Sequence, residues 1–170
     1  MPLEVLVLGG TGKIEVTGSL GDVMKESSKI AVSYVRSIAK KYGISPDFYK
    51  ENDLHIHVPE GAVPKDGPSA GIALTTALSS LVTGHAVDPH IAMTGEVALR
   101  GAVTPIGGLP EKLMAAERAG ITKVFIPAEN DFDLKDVADE VKEKIDINLV
   151  STVAEVLNAT GIIAAAGTAA

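Results

Sequence analysis

Ser69 is the first residue of this sequence that could do covalent chemistry. It stands in the sequence Gly-Pro-Ser-Ala-Gly at residues 67–71, which matches the Gly-x-Ser-x-Gly pattern of a nucleophile elbow. That elbow needs a strand directly before the serine, whereas the nearest predicted strand ends near Val58, and 170 residues are few for an α/β-hydrolase. Because Pro68 suits the first turn of a helix, we instead expect Ser69 at the positive end of a helix over 69–82. There it could lie beside N–H groups that stabilise an oxyanion, or it could simply cap the helix.

Lys112 could supply the base that such a serine needs. The apolar residues Leu109, Leu113 and Ala116 predict an amphipathic helix over 109–119, and Lys112 borders its buried stripe. Burial disfavours the charged form of a lysine, and a neutral amine can take a proton from a serine hydroxyl. The same spacing also fits a lysine that extends its ammonium into water. The pattern of residues alone leaves both interpretations open.

Two histidines offer a different mechanism. His55 and His57 project from one face of a strand predicted over 54–58. This spacing can chelate zinc, but no third ligand follows at a recognisable spacing, so polar positions that face solvent are favoured. A Ser-His-Asp triad of Ser69, Asp66 and one of these histidines is the alternative to a serine–lysine pair, because triads are defined by geometry and not by chain order.

A glycine-rich segment, Gly-Gly-Thr-Gly-Lys at residues 9–13, resembles a phosphate-binding loop but lacks two of the residues that such a loop requires. The pattern needs a glycine where Val7 stands and a serine or threonine where Ile14 stands. We therefore predict a glycine turn that joins strands over 3–8 and 13–17 into a hairpin, and no binding of ATP by this chain.

The rest of the sequence alternates between predicted helices and strands. A long amphipathic helix is expected over 22–42, ended by Gly43 and Pro46. Further elements are predicted by periodicity, as strands over 91–99, 123–126 and 147–150 and helices over 136–145 and 152–158. This alternation indicates an α/β (α+β) fold in a single domain, residues 1–160, followed by a flexible tail over 161–170.

The composition excludes several function classes. The 15 Lys plus Arg stand against 22 Asp plus Glu, and the net charge of −7 disfavours nucleic acid and anionic lipid as partners. Without cysteine, the chain can form neither a disulfide nor a thiolate metal site. No apolar run reaches the roughly 18 residues of a membrane span, and the N-terminus lacks a basic signal region. We expect a cytoplasmic protein that needs no metal ion and does not contact a membrane.

Five segments together resemble the Lon protease family. They are GSLGDVMKES at residues 18–27, HVPEGA at 57–62, PKDGPSAG at 64–71, MTGE at 93–96 and GGLPEK at 107–112. The resemblance runs in order from Leu3 to Asn158, and the segment around Ser69 is highly specific to the family. It implies the family fold, which is similar to the second domain of ribosomal protein S5.

The resemblance implies a role for each candidate residue. Ser69 is expected to be the nucleophile and Lys112 the general base, with no histidine taking part. Thr94 stands where the family has a hydroxyl near the lysine, so we expect it to hold the amine by a hydrogen bond. Asp66 falls in a loop that rearranges between active and inactive forms in this family, and a carboxylate near the lysine would weaken it as a base. Support of loop or subunit contacts is expected from Glu60, Glu96 and Arg100.

The resemblance also implies the reaction and its partners. The family degrades unfolded or damaged proteins as a serine endopeptidase, within a homo-oligomer that we expect to be a hexameric ring. ATP and magnesium belong to an upstream ATPase module of the family, so no cofactor is expected in this chain, which would cleave peptides or unfolded chains without ATP. We expect the first strand or two of the family domain to be missing here. The alternative is a Lon-like oligomerisation or interaction module without activity, against which the intact motifs argue.

Overall fold

The structure, a computed structural model, describes residues 1–45 and 47–163. The strands are β1 (Glu4–Gly9), β2 (Ile14–Thr17), β3 (Asn52–His57), β4 (Ile91–Met93), β5 (Glu96–Val97), β6 (Val103–Thr104), β7 (Lys123–Pro127) and β8 (Asp146–Val150). The α-helices are α1 (Asp22–Ile38), α2 (Gly71–Thr83), α3 (Leu109–Arg118), α4 (Asp139–Lys144) and α5 (Val153–Ala159), and short 3₁₀ helices cover Ala39–Tyr42 and Ala128–Asp136. Within the described ranges, no helix has both the length and the apolarity needed to cross a membrane.

The first sheet has the strand order β1-β3-β2, so β3 lies between the two strands that were expected to form a hairpin. β1 pairs antiparallel with β3 and β2 pairs parallel with it, and the hairpin prediction over residues 3–17 is therefore wrong. The glycine-rich connection wraps around Asp53, whose Oδ1 accepts from the N–H groups of Thr11, Gly12 and Lys13 at 2.9, 3.0 and 2.8 Å. A carboxylate of the chain itself thus occupies the position that a bound phosphate would need.

Helices α1 and α2 cover one face of this sheet. Their apolar side chains meet those of β3 in a core formed by Ala31, Val32, Val35, Leu54, Ile56, Leu74 and Leu78. The predicted long helix is confirmed, because α1 continues into the 3₁₀ turn Ala39–Tyr42 and ends at Gly43 in the left-handed conformation (φ 70°). Pro46, the other predicted stop residue, lies outside the described residues.

The second sheet is parallel, in the order β4-β7-β8, and both of its faces are covered. Successive residues of a strand point to opposite faces. Phe125 of β7 therefore packs with α2 and α5, while its neighbours Val124 and Ile126 pack with α3 and α4. Helix α2 contributes to both cores, since Leu74 faces the first sheet and Ile72 the second. The predicted α/β class is confirmed, and α2 is the helix around which the two sheets are arranged.

The strand predicted over 91–99 is two strands in different sheets, because the chain turns at Thr94 and Gly95. β4 ends at Met93 in the parallel sheet, and β5 pairs with β6 in a separate antiparallel ribbon. A Cβ atom on Gly95 would lie 2.6 Å from Cγ1 of Val103, so only glycine fits this crossing. The break directs the chain towards the start of α2.

The C-terminal part differs in detail from the expectation. The helix predicted over 136–145 is the shorter α4, preceded by the 3₁₀ segment in which the buried Asn130 side chain binds both the N–H and the carbonyl of Ile106. Ile162 and Ile163, assigned to the flexible tail from sequence, are 2% and 5% exposed and pack in the core with α5. Their size and apolarity favour burial over solvation. The remainder of the predicted tail, 164–170, lies outside the described residues.

Candidate active site

Ser69 lies in the turn that precedes α2. The helix begins at Gly71, two residues later than the sequence suggested, and the N–H of Gly71 donates to the carbonyl of Pro68 at 3.0 Å to close the turn. Within the described residues, neither the Ser69 nor the Ala70 N–H donates a hydrogen bond. Two amides are thus left beside the serine hydroxyl, at the positive end of a helix dipole.

Lys112 reaches Ser69 from the first turn of α3. Its Nζ atom lies 3.1 Å from Oγ of Ser69, within hydrogen-bonding distance. The helix starts after Gly108, which is left-handed (φ 71°), and it is anchored by Leu109 and Leu113, each 1% exposed. Packing of α3 against β7 therefore fixes the direction from which the amine approaches the serine.

The Lys112 side chain is exposed, which differs from the expectation that it borders a buried stripe. Leu109 and Leu113 turn towards the core, and Lys112 projects away from them over the turn that holds Ser69. An exposed amine is not desolvated by the fold alone.

Thr94 holds the backbone of Ser69. Its side chain is 8% exposed, and its hydroxyl donates to the Ser69 carbonyl at 3.3 Å, where the neighbouring Gly95 N–H also donates at 2.9 Å. The Thr94 N–H in turn donates to the carbonyl of Phe125 in β7. The predicted hydrogen bond from Thr94 to the Lys112 amine is therefore not the one formed among the described residues. Thr94 connects Ser69 to the parallel sheet instead.

Asp66 caps helix α1 and forms no salt bridge with Lys112 among the described residues. Its Oδ1 accepts from the N–H of Met24 at 3.0 Å and from that of Gly67 at 2.9 Å. A side chain at Gly21, the residue before α1, would collide with this carboxylate, so glycine is required there. No carboxylate forms a salt bridge with Lys112 in the described part of the chain. The amine is left free to contact the serine.

The three residues expected to support contacts are all at the surface. Glu60 is exposed and left-handed (φ 69°), and its carbonyl accepts a hydrogen bond from the ammonium of Lys65 at 2.7 Å. Glu96 is exposed on β5, and Arg100 is exposed in the turn to β6. The sequence analysis did not single out Lys65, because nothing in its spacing distinguishes it from an ordinary loop lysine.

The histidines belong to a different cluster. Nε2 of His55 and Nδ1 of His57 lie 2.9 and 2.8 Å from the hydroxyl of Thr17 on the neighbouring strand β2. Both rings are partly buried on the face of the first sheet. With Asp66 bound to α1, the candidate triad is not assembled in this arrangement. Among the described residues, no group of three His, Cys, Asp or Glu side chains is placed to hold a metal ion.

An apolar pocket of about 240 Å³ opens beside the serine. Ser69, Thr94 and Lys112 are the lining residues with polar side chains. The other lining residues are Met1, Leu3, Ala70, Ala73, Ala92, Met93, Ala115 and Ala116. These mostly apolar walls leave room for an apolar side chain of a substrate.

Comparison with known proteins identifies the family of this chain. The family profile of the Lon protease C-terminal proteolytic domain matches residues 1–162. Over 157 residues, the chain is 57% identical to a Lon protease of Bacillus thuringiensis, 55% identical to Lon protease 2 of Desulfotalea psychrophila and 55% identical to a Lon protease of Escherichia coli. Each of these matches covers 92% of this chain and 20% of the relative.

The fold and the matches together define a peptidase domain of mixed α/β architecture. The chain belongs to the Lon protease C-terminal proteolytic domain family. It spans about a fifth of the length of the Lon proteases that it matches.

Proposed function

We propose that this chain is a serine endopeptidase domain in which Ser69 is the nucleophile and Lys112 the general base. The observation that carries the proposal is the distance of 3.1 Å between the Lys112 amine and the Ser69 hydroxyl, next to an apolar pocket. A nucleophile and its base within hydrogen-bonding reach are the structural signature of covalent catalysis.

The proposed reaction proceeds through an acyl-enzyme. Neutral Lys112 takes the proton of the Ser69 hydroxyl, and Oγ attacks the carbonyl carbon of the scissile peptide bond. The resulting oxyanion accepts hydrogen bonds from the amides of Ser69 and Ala70, which have no other partner in the described chain. The Lys112 ammonium then protonates the departing amine. Water, deprotonated by the regenerated amine, attacks the ester and releases the second product.

Substrate binding is expected to complete the site. Because Lys112 is exposed in the chain alone, a peptide lying over the pocket would remove water from the amine and favour its neutral form. The Ser69 backbone needs no such rearrangement, since Thr94 and Gly95 already fix its carbonyl. We infer that the base is activated when substrate arrives, while the nucleophile is positioned beforehand.

The relatives suggest the setting in which the domain works. As part of a Lon protease, it would receive unfolded or damaged proteins threaded by an ATP-dependent module, in a homo-oligomeric ring that we expect to be hexameric. A chain with no cysteine is compatible with a reducing cytoplasm. The domain by itself is proposed to cleave peptides and unfolded chains without ATP.

Hydrolysis of an unstructured casein-like substrate, without ATP, tests this function. Wild-type chain should cleave it, and Ser69→Ala should not, while the matched control Ser33→Ala, an exposed serine on α1, should keep wild-type activity. Equal hydrolysis by wild type and Ser69→Ala would refute the assignment of the nucleophile. No hydrolysis by any of the three would favour the inactive interaction module, and the oligomeric mass would then be measured.

A further inference from the structure

Lys65 directs its ammonium at main-chain oxygens. Nζ donates to the carbonyls of Gly18, Glu60 and Val63 at 3.0, 2.7 and 3.0 Å. An ammonium has three N–H donors, so these contacts use all of them. Within the described residues, no carboxylate forms a salt bridge with Lys65. A surface lysine normally extends its charge into water, whereas this one is held by the loop around it.

The backbone that Lys65 holds is strained. Glu60 and Ser19 are the two non-glycine residues with positive φ in the described chain, at 69° and 60°. Both accept hydrogen bonds from Lys65, Glu60 from the ammonium and Ser19 from the backbone N–H at 3.0 Å. Left-handed conformations cost free energy for residues with a side chain and persist where the surroundings enforce them. Both residues with a left-handed backbone therefore accept a hydrogen bond from Lys65.

The strained segment leads directly to Ser69. The carbonyl of Lys65 accepts from the N–H of Gly21 at 2.8 Å, which joins the loop to the start of α1. The next residue, Asp66, binds the N–H of Gly67, and two residues later the chain reaches Ser69. The contacts of Lys65 therefore lie four residues before Ser69, in the same loop.

We propose that Lys65 is a positioning residue for peptide hydrolysis. Its ammonium fixes the nucleophile loop, residues 59–68, so that the Ser69 hydroxyl meets Lys112 and the Ser69 amide faces the reacting carbonyl. This inference rests on the proposed function of the same site. The carbonyl side of Ser69 is held separately by Gly95, so loss of the ammonium releases the loop side and leaves the fold in place.

The lack of cysteine allows a chemical rescue. Lys65→Cys introduces the sole thiol, whose thiolate displaces bromide from 2-bromoethylamine and forms a C–S bond. The product carries an ammonium at the end of a side chain of lysine length. Alkylation with iodoacetamide gives a neutral side chain as the matched control, and Lys40→Cys, at an exposed lysine, controls for the reagents.

Lys65→Cys should lower kcat about 100-fold, because small misplacements of reacting groups have effects of that size, with KM and the thermal midpoint little changed. Aminoethylation should restore kcat, and iodoacetamide should not. Three results would overturn the role of the ammonium. The unmodified variant could keep the wild-type kcat, both reagents could restore kcat, or neither reagent could restore it. If Lys65→Cys does not fold, Lys65→Arg is the variant to measure. Arginine keeps the positive charge, but its planar guanidinium cannot donate to the same three carbonyl groups. A wild-type kcat in Lys65→Arg would overturn the proposal.

A second measurement separates this inference from the proposed function. The proposed function fails, whatever the role of Lys65, if the wild-type chain hydrolyses no substrate or if Ser69→Ala hydrolyses it equally well. Amide hydrogen exchange still tests the loop, since Lys65→Cys should accelerate exchange at Gly21 and Gly67 and aminoethylation should slow it again. Unchanged exchange at both amides would contradict the proposal without any assay of activity.

Discussion

Nζ of Lys112 lies 3.1 Å from Oγ of Ser69, although 43 positions separate the two residues in the sequence. The serine comes from the turn before α2 and the lysine from the first turn of α3, so neither depends on the other for its local structure. Three separate restraints converge on the serine, from Thr94, from Gly95 and from the loop fastened by Lys65. In the proposed reaction, such fixed geometry would lower the entropic cost of reaching the transition state.

The pocket beside the serine should determine which peptide bonds are cut. Eight of its eleven lining residues are apolar, and its charged side chain, Lys112, is the proposed base and contacts Ser69. Peptides with leucine before the scissile bond should therefore be cleaved about ten times faster in kcat/KM than peptides with aspartate there. Ala73→Leu, which reduces the pocket, should lower kcat/KM for leucine more than for alanine. Competition assays with paired peptides measure both ratios. Equal kcat/KM values for the leucine and aspartate peptides would show that the pocket does not bind the side chain before the scissile bond.

The buried hydroxyl of Thr76 should destabilise the domain. It is the single buried side-chain polar atom without a hydrogen-bond partner among the described residues, and such a group costs about 1–3 kcal/mol. Thr76→Val should therefore raise the free energy of unfolding by about 1 kcal/mol. The neighbouring Thr75 donates to the carbonyl of Gly71 at 2.8 Å, so Thr75→Val should lower it by about 1 kcal/mol. Urea denaturation of both variants measures whether the free energy of unfolding rises in Thr76→Val and falls in Thr75→Val. A lower free energy of unfolding in Thr76→Val would refute the argument.

Asp53 should make the stability of the chain depend on pH in the acid range. Hydrogen bonds from the N–H groups of Lys13, Thr11 and Gly12 hold the pKa of this carboxyl below its ordinary value of 3.8. A lowered folded-state pKa contributes stability above the unfolded pKa, and that contribution is lost as pH falls through the folded value. Asp53→Asn should therefore be less stable than wild type near pH 7, with a smaller difference near pH 3.

Urea denaturation at both pH values checks the Asp53 prediction. The matched control is Asp131→Asn, because Asp131 is exposed and the substitution replaces one carboxylate by an amide, as Asp53→Asn does. That control should show no comparable pH-dependent difference. A difference between wild type and Asp53→Asn that is the same at both pH values would mean that the amides of the glycine-rich loop do not favour the charged carboxylate.

Local patterns in the sequence predicted the elements whose signals are local. The apolar period of α1 and its end at Gly43 are examples, as is α3, which the apolar spacing predicted over 109–119. The insertion of β3 between β1 and β2 was missed because strand pairing across some 40 residues leaves no mark in either strand. The break at Gly95 was missed for a similar reason. Its cause is the close approach of Val103, which only the fold creates.

The candidate site was predictable in part. Residue types and spacing did not decide whether Lys112 is a base or a lysine that extends into water. The resemblance to a family, and not the spacing, favoured the base. The Lys112 amine lies within hydrogen-bonding distance of the Ser69 hydroxyl, as a base would. The exposure of the Lys112 side chain was not predictable from the helical pattern. The partner of Thr94 and the capping role of Asp66 depend on distant backbone atoms. Lys65 stands in a segment that carries the family resemblance, but its contacts were not predictable, because its partners are carbonyl groups that every residue has.

The most direct test of the central claim compares Lys112→Ala with His57→Ala in hydrolysis of an unstructured substrate, with exposed Lys25→Ala as the matched control. Lys112→Ala should lower kcat by about 10²–10⁴-fold, the usual contribution of a general base, at an unchanged thermal midpoint, while His57→Ala and Lys25→Ala keep most of the activity. Substantial activity in Lys112→Ala together with its loss in folded His57→Ala would contradict the account and favour a histidine base.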